Sequence, residues 1–131
     1  MLLEYEDTRV LLTGDAHPDH ILEALEILSP EARVKLDLVK LPHHGSEKNV
    51  TNELLKKLDC KNYLISTNGS YFYHPDAVAI ARIIIGSRNS KVLFNVPSEF
   101  NRWWDDSVWQ DKFKYSVVYG TKSDGLEIDM I

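Results

Sequence analysis

The segment Leu36-Asp-Leu-Val-Lys-Leu-Pro-His-His-Gly-Ser46 contains both a strand pattern and the most distinctive polar motif of the chain. Its first six residues, Leu36–Leu41, are rich in leucine and valine, which predicts a buried β-strand. The strand leads directly into Pro42 and the pair His43-His44. Two imidazoles at the C-terminal end of a strand lie where α/β sheets place their ligands and catalytic groups.

Helix and strand patterns alternate on both sides of this segment. The predicted elements, in chain order, are a hairpin of Leu2–Tyr5 and Thr8–Leu12, a helix at Pro18–Leu28, the strand Leu36–Leu41, a helix capped by Thr51 and running through Leu58, a strand at Tyr63–Ser66, a helix at Pro75–Ile85, a strand at Lys91–Val96, a partly helical stretch at Ser98–Lys112, and strands at Lys114–Tyr119 and Leu126–Ile131 around a turn at Ser123-Asp124-Gly125. This alternation predicts an α/β fold, a mixed sheet with helices, in one domain over residues 1–131.

Composition and charge limit the classes of function. The chain has 131 residues and a formal net charge of −5, which argues against a strongly basic surface for nucleic acid. A nuclease stays open, because bound divalent cations can supply positive charge locally. The single cysteine, Cys60, excludes an intramolecular disulfide and is predicted to be a structural thiol. We find no signal-peptide pattern and no apolar run of membrane-spanning length, so we expect a cytoplasmic protein.

Three successive predicted strands lead to aspartate or histidine residues. The first ends at Asp15, the second at His43-His44, and the third leads to the loop before His74. Aspartate and histidine are ligand types of zinc, manganese and iron sites, so this convergence predicts a metal site. Each residue alone has a structural alternative: Asp15 as a turn or cap residue, His74 as part of a turn, and Ser46 as a cap.

The histidine pair is the stronger signal, because adjacent residues of an extended chain point to opposite sides and rarely serve one packed core. His17 and His20 lie near Asp15 but at the start of a predicted amphipathic helix, where we expect them to be solvated. The three tryptophans, Trp103, Trp104 and Trp109, are predicted to pack in the core or an interface rather than to stack on bases.

These residues together resemble a known family. Leu11-Leu-Thr-Gly-Asp-Ala16, followed by a helix and by Leu38-Val-Lys-Leu-Pro-His-His-Gly-Ser46, resembles the metallo-β-lactamase superfamily. Within it, the resemblance is to the branch that contains the hydrolase domain of the DNA-uptake competence protein. The hairpin, the strand Leu64-Ile-Ser66 and His74-Pro75 fit the same branch, so the resemblance covers about residues 2–96.

The resemblance implies a fold, a metal site and residue roles. Family members fold as an αββα sandwich of two similar halves, with two metals, zinc or also manganese, at the sheet edge between them. Asp15 matches the catalytic aspartate that bridges both metals. His44 matches a ligand of the second metal and His43 a catalytic contact to the substrate phosphate, although the reverse assignment is open. His74 and Ser46 are expected to contact the substrate.

The sequence departs from the family in one large respect. The family motif HxHxDH precedes the matched segment, and this chain does not contain it. The resemblance therefore implies the C-terminal half of a two-metal, phosphodiesterase-like or nuclease-like hydrolase. We expect it to be inactive alone and to bind metal weakly or not at all, because two metals need about eight ligand contacts. A missing N-terminal half or a homodimer would cover the sheet. The alternatives are a non-catalytic binding or assembly module, and a metal site shared across a homodimer that includes His17 or His20.

Overall fold

The structure is a computed structural model that describes residues 1–130. Its elements are β1 (Leu2–Tyr5), β2 (Thr8–Leu12), α1 (Pro18–Leu28), β3 (Val34–Lys35), β4 (Leu38–Lys40), α2 (Asn52–Lys57), β5 (Leu58–Asp59), β6 (Asn62–Ile65), α3 (Ala77–Gly86), β7 (Ser90–Phe94), α4 (Ser107–Phe113) and β8 (Tyr115–Tyr119). Short 3-10 turns form at Pro42–Gly45 and Arg102–Asp105.

The main sheet has six strands in the order β1-β2-β4-β6-β7-β8. Only β1 runs antiparallel to its neighbour, and the other pairs are parallel, so the C-terminal ends of β2, β4 and β6 meet at one edge. A small parallel sheet of β3 and β5 lies beside it. The predicted α/β fold with a mixed sheet is therefore confirmed.

The helices cover one face of this sheet. The strand order follows the chain order, and connections between parallel strands are right-handed, so successive helices pack on the same side. The α1 helix contacts α2, and α2 contacts α3. The core between the helices and the sheet includes Leu25, Ile80, Val39, Tyr63 and Phe94, all at most 1% exposed. This layer fixes the strand ends that carry the polar motifs.

The second face of the sheet carries buried apolar side chains as well. Val92 and Phe94 belong to the core under the helices. Side chains alternate along a strand, so Leu93 between them points to the opposite face, and Leu38 does so beside Val39. Leu93 and Leu38 are nonetheless buried, at 4% and 6% exposed.

The C-terminal segment covers this second face. From β8 at one edge, residues 120–130 return to β2, where the Thr8 hydroxyl donates to the carbonyl oxygen of Met130 at 3.4 Å. Because the helices occupy the first face, this segment crosses the second. Leu126, Ile128 and Met130 are half-buried while Glu127 between the first two is exposed, as expected for a chain lying with one side on the sheet.

Most predicted elements are confirmed, with shifts of one or two residues at several ends. The hairpin and α1 have the predicted bounds, and Thr51 caps α2 by accepting a hydrogen bond from the Leu54 amide. The predicted strand Leu126–Ile131 is wrong over residues 126–130, which form no strand because they lie on the sheet face instead of pairing with an edge. Its last residue, Ile131, lies outside the described residues.

Of the three tryptophans, Trp104 is in the core as predicted, whereas Trp103 and Trp109 are 42% and 41% exposed. Trp104 is buried and stacks on Trp103 with ring centroids 4.4 Å apart. The Tyr115 hydroxyl donates to the Trp104 carbonyl oxygen at 2.7 Å, which ties this cluster to β8. Among residues 1–130, the helices are all too short or too polar to cross a membrane.

Cys60 is a buried structural thiol, and it should make stability fall at alkaline pH. Its Sγ donates to the Asn62 carbonyl oxygen at 3.2 Å, and burial raises the pKa of the thiol from 9.0 to about 11. Burial likewise raises the pKa of Tyr63 to about 12. A raised pKa leaves stability unchanged below the ordinary value and lowers it as pH rises toward the folded-state value. Urea unfolding from pH 7 upward should show this decline beginning near pH 9.

The variant Cys60→Ala separates the thiol from the tyrosine. It removes the thiol titration, so its stability should decline later, at the pH where the tyrosines with raised pKa, Tyr63 and Tyr119 among them, begin to titrate. If stability declines over the same pH range in the wild type and in Cys60→Ala, the thiol contributes nothing to the alkaline decline.

Candidate functional site

The two histidines of the central motif lie in a strained turn rather than in extended chain. His43 has φ 45° and ψ 48°, and His44 has φ 58° and ψ 23°. Gly45 follows with φ 84°. A left-handed backbone costs a non-glycine residue about 1–2 kcal/mol, so two consecutive histidines in this region require support from the surrounding structure. Strained residues of this kind concentrate at functional sites.

Backbone contacts from two neighbouring segments supply this support. The His43 amide donates to the Gly14 carbonyl oxygen at 3.0 Å, which joins the turn to the end of β2. On the other side, the Asp76 amide donates to the Gly45 carbonyl oxygen at 3.0 Å, and the Asp76 carboxylate accepts from the Glu47 amide at 2.8 Å. The turn is therefore held between the end of β2 and the start of α3.

His44 has a ring orientation that suits a metal ligand. Its Nδ1 lies 2.7 Å from the carbonyl oxygen of Ser66, at the end of β6. A carbonyl oxygen can only accept, so Nδ1 carries the hydrogen. In the neutral ring, Nε2 then has a free lone pair, and a backbone carbonyl that fixes the other nitrogen is the usual support of a ligating histidine.

His43 and His74 form an aromatic group with Phe72. The ring centroids of His43 and His74 are 5.6 Å apart, and those of His43 and Phe72 are 6.2 Å apart. Nδ1 of His74 lies 3.2 Å from a carboxylate oxygen of Asp76, in a site where the His74 side chain is only 12% exposed. Asp76 therefore orients His74, leaving its Nε2 for a second contact.

Asp15 and Ser46 occupy different environments. Asp15 is exposed in the turn after β2, and the preceding residue, Gly14, is the one bonded to His43. Ser46 is 5% exposed, and its hydroxyl accepts from the Lys48 amide at 3.3 Å, so it shapes the loop. Of the residues predicted to converge, the structure brings His43, His44 and His74 together, and it bonds Gly14, the neighbour of Asp15, to His43.

His17 and His20 lie apart from this group, at the exposed start of α1. His20 lines a separate cavity between α1 and the hairpin, and its ring packs against that of His17 at 6.1 Å. A cavity of about 290 Å³ opens beside the histidine turn, and its lining residues are His44, Thr67, Asn68, Ser70, Tyr71, Phe72 and His74.

The donor set fits part of a metal site and does not complete one. His44 offers a fixed nitrogen and Asp15 a free carboxylate, which are suitable ligand types. Over residues 1–130, however, no three side chains of His, Cys, Asp or Glu converge closely enough to hold a metal ion. The described residues alone therefore support no reaction step through a metal.

Two contributors to the site were not predicted from the sequence. Asp76 both fixes the histidine turn and orients His74, and its only signal is the spacing His74-Pro75-Asp76. Phe72 lies over the histidines from a loop whose path the sequence does not indicate.

Searches against models of protein families, curated protein sequences and solved structures gave no match for this chain.

Proposed function

We propose that this chain supplies part of the site of a two-metal phosphodiester hydrolase of metallo-β-lactamase type. Asp15 and His44 are its metal ligands, and His43 and His74 contact the substrate phosphate. The observation that carries the proposal is the 2.7 Å contact from His44 Nδ1 to the Ser66 carbonyl, which leaves Nε2 available at the C-terminal edge of the sheet. The resemblance of the Thr-Gly-Asp and His-His-Gly-Ser motifs to that family points the same way.

The strain of the turn adds independent support. A fold that needed only a tight turn would be more stable with glycine or asparagine at positions 43 and 44, because these residues tolerate left-handed backbone. The structure instead keeps two histidines there, in contact with the oriented ring of His74. An imidazole N–H, such as His43 can offer, suits the oxygens of a phosphate group.

The remaining ligands must come from beyond a single copy of the described residues. A complete site would take two zinc ions, with manganese as an alternative, and bound metals would supply Lewis acidity at the phosphate. Another polypeptide segment, such as the N-terminal half implied by the resemblance, or a second copy of the chain would provide the missing donors. By itself the chain should bind metal weakly and should not hydrolyse phosphodiesters. A cytoplasmic location agrees with the free thiol of Cys60.

A non-catalytic assembly module is the second candidate, and the second sheet face favours it. Leu38 and Leu93 are buried there, on the face that the helices leave open and that the C-terminal segment crosses. A partner that displaced this segment could bind to the apolar surface beneath it. Self-association that does not depend on Asp15 or on metal would favour this candidate.

Zinc titration of the purified chain tests the metal-ligand assignment. We expect weak binding that falls roughly tenfold or more in Asp15→Ala and in His44→Ala, since each substitution removes one donor. His20→Ala is the matched control, because His20 is also an exposed imidazole but lies in a different cavity. Isothermal titration calorimetry measures all four proteins.

Two results would contradict the assignment. Equal zinc affinity in the wild type, Asp15→Ala and His44→Ala would remove both residues from the ligand set. Tight, near-stoichiometric zinc in the purified chain, measured by elemental mass spectrometry, would show that a site assembles without further ligands and would make hydrolysis by this chain alone testable.

A further inference from the structure

A run of three exposed aromatic residues adjoins the candidate site. Tyr71, Phe72 and Tyr73 are 87%, 67% and 67% exposed. Burying an aromatic side chain is strongly favourable, so three neighbouring exposed rings beside a polar site call for a binding partner. The loop that carries them belongs to no helix or strand.

Contacts at its two ends hold this loop in place. The Tyr73 amide donates to the Gly69 carbonyl oxygen at 3.1 Å, and the Tyr73 ring packs on Phe100 with centroids 5.4 Å apart. Gly69 lies so close to Phe100 that an added Cβ would be 2.3 Å from its ring. The ends of the loop are therefore packed, and Tyr71 and Phe72 between them are exposed to solvent.

The position of Phe72 links this aromatic pair to the histidines. Its ring centroid lies 6.2 Å from that of His43 and 6.1 Å from that of His74. Tyr71 and Phe72 also line the cavity of about 290 Å³, together with His44 and the polar residue Asn68. A flat group stacked on the Phe72 ring would lie beside the imidazoles of His43 and His74, in a cavity that Asn68 also lines.

We propose that Tyr71 and Phe72 form a subsite for the planar base of a nucleoside phosphate whose phosphate group lies at His43 and His74. This inference rests on the proposed function, because that function places the phosphate. Stacking on aromatic side chains accepts any base, while Asn68 can hydrogen-bond to a base edge. The arrangement selects a substrate with a ring over a phosphate ester without one.

Matched ligands test the subsite on the protein as it is. Adenosine 5′-monophosphate and ribose 5-phosphate share the sugar and phosphate and differ only in the base, and adenosine lacks the phosphate. Binding of each is measured by NMR titration. We expect adenosine 5′-monophosphate to bind roughly fivefold or more tightly than ribose 5-phosphate, as stacking on one aromatic side chain provides.

Three variants test whether the Phe72 ring causes this difference in affinity. Phe72→Ala should remove most of it, and Phe72→Leu should do nearly the same, because leucine keeps apolar area but loses the planar face. Tyr5→Ala is the matched control, since Tyr5 is an aromatic residue of similar exposure, 64%, on β1. It should leave all three affinities unchanged.

The outcomes separate this inference from the proposed function. Equal binding of adenosine 5′-monophosphate and ribose 5-phosphate, both weakened by His43→Ala, would overturn the ring subsite and leave the phosphate contact standing. Equal binding of adenosine and adenosine 5′-monophosphate, with no effect of His43→Ala, would overturn the phosphate contact and the paired placement with it. Absence of binding by all three ligands would overturn both.

Discussion

Replacing Gly45 by alanine should destabilise the protein by about 2–5 kcal/mol and displace the neighbouring histidines. Gly45 has φ +84°, where any side chain is strained. An added Cβ would also lie 2.9 Å from Cβ and 3.5 Å from Cα of Pro75, a rigid residue that cannot rotate away. Because Gly45 also accepts the hydrogen bond from Asp76, its movement would loosen the contact that holds the turn.

Two other glycines serve as controls for this prediction. Gly14 has φ +57° but nothing within 4 Å of an added Cβ, so Gly14→Ala should cost only the left-handed strain, about 1–2 kcal/mol. Gly86, at the end of α3, has neither a positive φ nor a neighbour within 4 Å, so Gly86→Ala should be neutral or stabilising. Urea unfolding gives all three values. Equal losses for Gly45→Ala and Gly14→Ala would show that Pro75 yields without cost.

Local sequence patterns predicted the hairpin, α1 and the helix caps, because short-range interactions determine these elements. The two apolar runs of the hairpin and the apolar stripe of α1 predict elements that the structure contains with the same bounds. Alternation of strands with helices leaves few topologies once crossovers are right-handed, so a mixed sheet could be predicted before its strand order was known. Caps such as Thr51 act within one turn of helix and are equally visible in the sequence.

The site was predicted only in part, because its geometry depends on contacts distant in sequence. His43 and His44 were recognisable as a pair at a strand end, but their left-handed backbone is held by Gly14 and Asp76 from other segments. The tautomer of His44 depends on a carbonyl 22 residues away, that of Ser66. Periodicity and residue type contain no information on such long-range contacts.

The C-terminal segment was misjudged for a related reason. The alternation of Leu126, Ile128 and Met130 with acidic residues is the pattern of a strand with one buried side. The same pattern serves a segment that lies flat on a sheet face, because both need one apolar side. What decides between them is whether an edge strand or an open face is available, and the sequence does not report that.

Removing residues 121–131 should therefore lower stability by about 3 kcal/mol or more and cause self-association. The deletion would expose Leu38 and Leu93, now 6% and 4% exposed, and burial of each leucine contributes about 1.5–3 kcal/mol. An open apolar face next to the strands favours pairing with a second copy. Sedimentation velocity and urea unfolding measure the two effects.

A milder variant keeps this prediction testable if the deleted chain fails to fold. Ile128→Asp puts a charge on the half-buried side of the segment and should release it, while Glu127→Ala, on the exposed side, should change neither stability nor mass in solution. A monomeric Ile128→Asp protein of unchanged stability would mean that the segment does not protect the second face. Release that produces dimers would instead identify this face as the surface where a further sheet, from a second copy or from another segment, can pack.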